Sequence, residues 1–273
     1  MNETLKRLLS GVVYVALLII ATSYSVTSFY ILFGIFMLIA IYEFCRLVQL
    51  NIIVPLLIGA FSYYLVTQFK IGQTNDVLLL ASTLFVSIKC LFLLFSSKTK
   101  IDNLSKYIYV IGYVIFPFIL ITKIPFGVKG FNPKIIISIF ILIWTNDTFA
   151  YVVGKSIGKH KLIEKISPKK TIEGFIGGVV FSVIAGILIS KFYIHPKPNH
   201  HNISLFIWTI SAVIISIFST LGDLIESKFK RIAAVKDSGN IMPGHGGILD
   251  RLDSIIFVAP FVYLFYQILY YVS

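Results

Sequence analysis

Apolar runs of about 17 to 20 residues recur along the whole chain, and no other feature constrains its fold so strongly. Wound as a helix, such a run matches the hydrocarbon thickness of a bilayer. Only 13% of the 273 residues are charged and 57% are hydrophobic; the mean hydropathy is +0.90. A soluble domain carries about 25% charged residues. The composition excludes a soluble enzyme, a disordered chain and a fibrous one. It leaves an all-α, polytopic integral membrane protein.

Nine spans can be drawn, at 8–24, 28–44, 52–69, 77–95, 107–122, 135–153, 173–190, 203–221 and 255–271. The first follows Lys6 and Arg7 and ends without a small-residue cleavage site, so it is expected to be a retained span and not a signal peptide. Pro55 and Pro117 fall inside runs, where neighbouring helices can satisfy the freed backbone groups. Lys89, inside the fourth run, is expected to snorkel or to pair internally. Cys45 and Cys90 suggest neither a disulfide framework nor a metal site.

The net charge is +12. With the N-terminus placed in the cytoplasm, 17 lysines and arginines fall in inside segments and six outside, with Lys89 in a span. That asymmetry follows the positive-inside rule and orients the chain. The excess charge then belongs to loops facing anionic headgroups; no nucleic-acid partner is implied.

Eight of the twelve acidic residues lie between Asp147 and Asp253. A carboxylate at a membrane span is costly and points to function. One acid-bearing segment, 146–174, holds Asp147, Tyr151, Gly154, Gly158 and then SPKKTIEG, with Ser167, Lys170, Thr171 and Glu173. Two readings stay open there. Thr171 can cap the next helix with Glu173 in its first turn, or the lysine and hydroxyl at a helix N-terminus can hold phosphate.

The second segment, 222–254, is less ambiguous. Asp223 and Glu226, then Asp250 and Asp253, are two pairs at i and i+3, so each pair shares a helix face. Between them lie Lys230, Arg231, Lys236, Arg251 and the glycine-rich turn PGHGG. Paired hard oxygens beside bases and backbone amides suit a magnesium–polyphosphate complex. A zinc site would want more histidine or cysteine than His245 alone.

From Ser227 to Asp253 the chain reads SKFKRIAAVKDSGNIMPGHGGILDRLD. This resembles the signature of the phosphatidate cytidylyltransferase (CDP-diacylglycerol synthase) family. That signature runs S-x-hydrophobic-K-R, four residues, K-D-x-small, two residues, then hydrophobic-P-x-H-G-G-hydrophobic-x-D-R-hydrophobic-D. Met242, where Leu, Ile or Phe is more usual, is a conservative departure. SPKKTIEG is similar to the family's S-P-x-K-T-x-E-G stretch.

The resemblance implies transfer of CMP from CTP to phosphatidate, giving CDP-diacylglycerol and pyrophosphate. It implies Mg²⁺ and leaves a second, monovalent cation open. It further suggests a homodimer among membrane lipids, in a bacterial-type plasma membrane, with the active site facing the cytoplasm. Residues 1–134 become scaffold and lipid contact; residues 135–273 become the catalytic region. Asp223 and Asp250 are the expected metal ligands, with Asp237 and Asp253 as lesser candidates. Lys236, His245 and Arg251 join them as catalytic candidates. Ser167, Lys170, Thr171, Ser227, Lys230, Arg231, Gly246 and Gly247 are expected to hold phosphate groups. Three alternatives remain. One is a related enzyme using another lipid phosphate, such as an isoprenoid one; one is a CTP-dependent lipid kinase. The third is a transporter, which would place charges deep in several spans.

Overall fold

A computed structural model describes residues 3–69, 72–97, 100–127, 130–194 and 201–272. Lys70, Lys98, Lys129 and Lys197 of the orientation count lie outside the described residues. Among the described residues the chain is all-α with two small hairpins. The helices are α1 (Glu3–Tyr24), α2 (Val26–Leu47), α3 (Ile53–Gln68), α4 (Gln73–Phe95), α5 (Asn103–Tyr109), α6 (Phe116–Lys123), α7 (Pro133–Ile157), α8 (Ile172–Leu188), α9 (His201–Ile232) and α10 (Leu249–Val272). Each of the nine expected spans falls on a helix or, for 107–122, on α5 and α6 joined by a π-helical stretch, Val110–Ile115. By length and composition, eight helices among the described residues can cross a membrane. The remaining one, α3, has 16 residues and is about 24 Å long.

Local chemistry sets the boundaries. Ser25 stands alone between α1 and α2; its Oγ accepts the Ser28 N–H and Ser28 Oγ accepts the Ser25 N–H, each at 3.0 Å. That reciprocal cap starts α2 directly after α1 ends. Asn132 caps α7, with Pro133 in its first turn. Pro117 follows the π-helical stretch in the first turn of α6, a position where its missing N–H costs little. Lys89 is paired internally: its Nζ donates to Ser105 Oγ at 2.9 Å and lies 5.2 Å from the centre of the Tyr109 ring.

The hairpins were not legible as strands. Phe126–Gly127 (β1) pairs with Gly130–Phe131 (β2), and Lys161–Ile163 (β3) pairs with Ser167–Thr171 (β4). The second folds SPKKT back beneath α7 and α8. Close helix approach then gathers the acidic residues. At Gly222 on α9 an added Cβ would stand 2.8 Å from the Asp253 carbonyl oxygen of α10, so only glycine lets the two helices come this close. Leu8, Val12, Val13 and Ile20 of α1 point outward, a surface suited to lipid.

Candidate active site

The loop between α7 and α8 and the loop 233–248 between α9 and α10 lie at one end of the bundle, and the carboxylates converge there. Asp223 projects from α9 toward β4. Its Oδ2 is 2.7 Å from Lys170 Nζ, and its Oδ1 accepts the Ser227 hydroxyl at 3.2 Å. One turn on, buried Glu226 pairs with Lys230. Lys230 Nζ also reaches Asp250 Oδ1 on α10 at 2.7 Å, so one ammonium ties the two helices together.

Asp250 Oδ2 accepts the Ser238 N–H and hydroxyl, each at 2.9 Å, and the Gly247 N–H at 2.7 Å. Charge-assisted bonds of this kind are stronger than neutral ones, so Asp250 organises the loop that precedes it. Asp253, one turn further, is buried and accepts the Ser254 N–H at 2.7 Å. Asp147 on α7 interacts electrostatically with Lys170 and Asp223.

The other expected residues take identifiable places. Thr171 caps α8, its Oγ1 accepting the Gly174 N–H at 3.1 Å. Glu173 accepts the Lys159 and His160 N–H groups and contacts His160 Nδ1 at 2.6 Å. The capping reading of this segment is therefore the observed one for Thr171, while Lys170 alone turns toward the carboxylates. Ser167 pairs with Ile163 in the hairpin. Arg231 Nε donates to the Ile166 carbonyl at 3.2 Å, linking that hairpin to the end of α9. Lys236 and Asp237 are exposed on the loop. In the arrangement seen, the Gly247 N–H is engaged by Asp250; for it to meet phosphate, that bond must be exchanged. Beside Gly246 an added Cβ would meet Asp250 Oδ2 at 2.5 Å.

The PGHGG turn closes with the His245 N–H donating to the Met242 carbonyl at 2.9 Å, and Gly244 takes φ +76°, a left-handed conformation that favours glycine. Ser10 Oγ of α1 lies 2.7 Å from His245 Nδ1 and 3.0 Å from the Pro243 carbonyl oxygen. Arg251 donates to the His245 carbonyl at 3.2 Å. Burial first, then Arg251 and Arg7, hold His245 below its ordinary pKa, which favours the neutral ring.

Two residues that sequence reasoning passed over support this loop. Glu43 of α2 is buried and accepts the Ile248 and Leu249 N–H groups at 3.2 and 2.8 Å. A signal existed: it is an acid inside an apolar run. Ser10 carried none, since a serine in a span is unremarkable in sequence.

Two cavities meet at this loop. One, of about 250 Å³, is lined by Tyr14, Asp147, His245, Asp250, Arg251 and Asp253 among others. The other, of about 630 Å³, is an open, largely apolar groove along α1, past Leu8, Val12 and Ala16, with Arg7 at one end. They share Gly11, Val15 and His245.

By donor chemistry, though not as a cage assembled among the described residues, the set suits a hard divalent cation. Asp147, Asp223, Glu226, Asp250 and Asp253 face two ammonium groups, Lys170 and Lys230. The excess is negative and the ligating atoms are oxygen. Glu226 Oε1 and Asn146 Oδ1 are buried without a hydrogen-bond partner among the described residues. No three His, Cys, Asp or Glu side chains among the described residues form a ready cage. Lys170 and Lys230 hold the positions where a cation's charge is wanted.

The phosphatidate cytidylyltransferase of Staphylococcus saprophyticus is 50% identical over 121 residues, 44% of this chain and 44% of that protein. Those of Staphylococcus haemolyticus and Staphylococcus aureus are each 51% identical over 121 residues, with the same shares. The matched stretch thus spans under half the length of each relative. The model of the cytidylyltransferase family matches residues 5–269, nearly the whole of the 273, and the chain belongs to that family.

Proposed function

We propose that the protein is a phosphatidate cytidylyltransferase. It transfers CMP from CTP to phosphatidate and releases pyrophosphate, as its relatives, named phosphatidate cytidylyltransferases, suggest. One observation carries the reading: a cavity that holds the carboxylates Asp147, Asp250 and Asp253 with Arg251 meets a largely apolar groove at Gly11, Val15 and His245. A nucleotide and a diacyl lipid need those two environments side by side.

In the proposed step a phosphate oxygen of phosphatidate attacks the α-phosphorus of CTP. The bond from that phosphorus to the bridging oxygen breaks, and pyrophosphate leaves with the electron pair. The nucleophile is already anionic, so positioning and charge neutralisation do most of the work. Lys170 and Lys230 can exchange carboxylate contacts for phosphate contacts. Arg251 lines the cavity and holds the carbonyl of His245, a residue that both cavities share, so it is suited to the lipid headgroup. Lys236 is exposed on the loop, and Arg231 is held by the Ile166 carbonyl of the hairpin. Asp223 and Asp250, with Asp237 and Asp253 as further candidates, would hold magnesium, which would supply counter-charge to the triphosphate.

The test is purified protein with CTP labelled at the α- or the γ-phosphate. The expected result is α-label in lipid and γ-label in pyrophosphate. γ-Label in lipid with release of CDP would replace this reading with a lipid kinase. Preference for an isoprenoid phosphate over phosphatidate would change the substrate. No label in lipid from either would remove the enzyme reading.

CTP is a cytosolic solute, so the site should face the cytoplasm of a bacterial-type plasma membrane; a homodimer is the assembly we expect there. Cysteines placed at the exposed positions Ser156 and Asn240 test the orientation. Cys45 and Cys90 are buried and should stay silent. An impermeant thiol reagent should label both new cysteines only after the cells are permeabilised. Labelling from outside would reverse the topology.

A further inference from the structure

Glu43 belongs to α2, among residues expected to be scaffold, yet its carboxylate is spent on the glycine loop. It accepts the Ile248 N–H at 3.2 Å and the Leu249 N–H at 2.8 Å, where α10 begins. Ser238 Oγ lies 3.4 Å from its Oε2 and 2.9 Å from Asp250 Oδ2. Glu43 and Asp250 therefore divide the donors between them: Gly247 and Ser238 N–H go to Asp250, Ile248 and Leu249 N–H to Glu43. The fit is close. A Cβ at Gly239 would stand 2.3 Å from Glu43 Oε1, and one at Gly247 would stand 2.5 Å from both carboxylate oxygens.

We propose that Glu43 is a positioning residue for cytidylyl transfer: it holds the loop so that Asp250 and His245 face the cavity at the right separation. Glu43 lines neither cavity and acts through the loop. An unpinned loop would let the Asp250 carboxylate rotate away, because its Oδ2 partners, Ser238 and Gly247, sit on the segment that Glu43 restrains. The proposal rests on the functional reading above for its kinetic arm alone.

Glu43→Gln is the informative change, since it keeps the shape and puts an N–H donor against backbone donors. Three readouts are needed. Turnover per folded molecule should fall at least tenfold, with KM for CTP altered less than threefold. Amide hydrogen exchange at Ile248 and Leu249 should quicken at least tenfold, while exchange in α7 and α8 stays as it was. Gly239→Ala, which crowds the same carboxylate, should reproduce both effects in the native background and add nothing once Glu43 is already Ala. A merely structural Glu43 would lower folded yield and leave turnover per folded molecule unchanged. That result, or a Gly239→Ala effect additive to Glu43→Ala, would overturn the proposal. If the unsubstituted protein transfers no CMP, only the functional reading fails; the exchange measurements still decide whether Glu43 pins the loop.

Discussion

Asp250→Asn should lower CMP transfer about a thousandfold or more while leaving a folded, extractable protein. The carboxylate accepts Lys230 Nζ, the Ser238 N–H and hydroxyl, and the Gly247 N–H. An amide keeps one acceptor oxygen and turns an N–H₂ toward some of those donors. Bonds to a charged group contribute roughly 1.5 to 3 kcal/mol each. With the carboxylate altered, Lys230 and the counter-charge are misplaced. Losing two such contacts to the triphosphate in the transition state corresponds to about 4 kcal/mol, near a thousandfold at about 1.4 kcal/mol per decade. Two causes of the loss are separable by titration. Partial recovery at raised Mg²⁺, or with Mn²⁺, assigns it to a cation that Asp250 shares with Asp223. A loss indifferent to either ion assigns it to the loop and to Lys230, freed from one of its two partners. A folded Asp250→Asn protein with ordinary turnover at ordinary Mg²⁺ would remove Asp250 from the chemistry altogether.

Lys170→Ala should cost 10- to 100-fold in turnover with the fold retained. In the structure its Nζ sits 2.7 Å from Asp223 Oδ2, and Asp147 and Asp253 also interact with that aspartate. Without the lysine, the carboxylates lose a counter-charge and the triphosphate loses a cation worth roughly 1.5 to 3 kcal/mol. The neighbouring Thr171→Ala provides the contrast. Thr171 caps α8 through the Gly174 N–H, so its loss should cost about 1 kcal/mol of stability and leave turnover per folded molecule within a few-fold. Rates measured beside thermal melts in detergent distinguish the two. An unchanged rate in Lys170→Ala would reduce SPKKTIEG to a helix start.

The helical architecture was legible because the period and length of the apolar runs leave no soluble alternative. All nine runs fall on helices, down to the one at 53–68 that is only 16 residues long. The acid pairs were legible for the same reason, because 3.6-residue geometry puts Asp223 beside Glu226 and Asp250 beside Asp253 on their own helices. Partner choice was not legible. Asp223 takes Lys170 from a hairpin 53 positions earlier, and Asp250 takes Lys230 from across the loop. The β3–β4 hairpin hid because a five-residue polar strand has no apolar alternation to show. Glu43 hid behind the clustering of the other acids, although one acid in an apolar run was itself a sufficient cue.

The bond between Ser10 and His245 joins residues 235 positions apart, and the Glu43 bond to Leu249 spans 206. Contacts of such sequence separation form late, after loop-closure entropy has been met by other packing. A chain inserted into a membrane from its N-terminus carries α1 and α2 for almost the whole of synthesis before their partners emerge. During that interval the Glu43 carboxylate has no loop to hold and Ser10 has no histidine. The site is thus a product of the last step of assembly, when the end of α9 and the start of α10 dock against the first two helices. Nascent chains stopped short of α10 should insert and span, yet carry no organised loop.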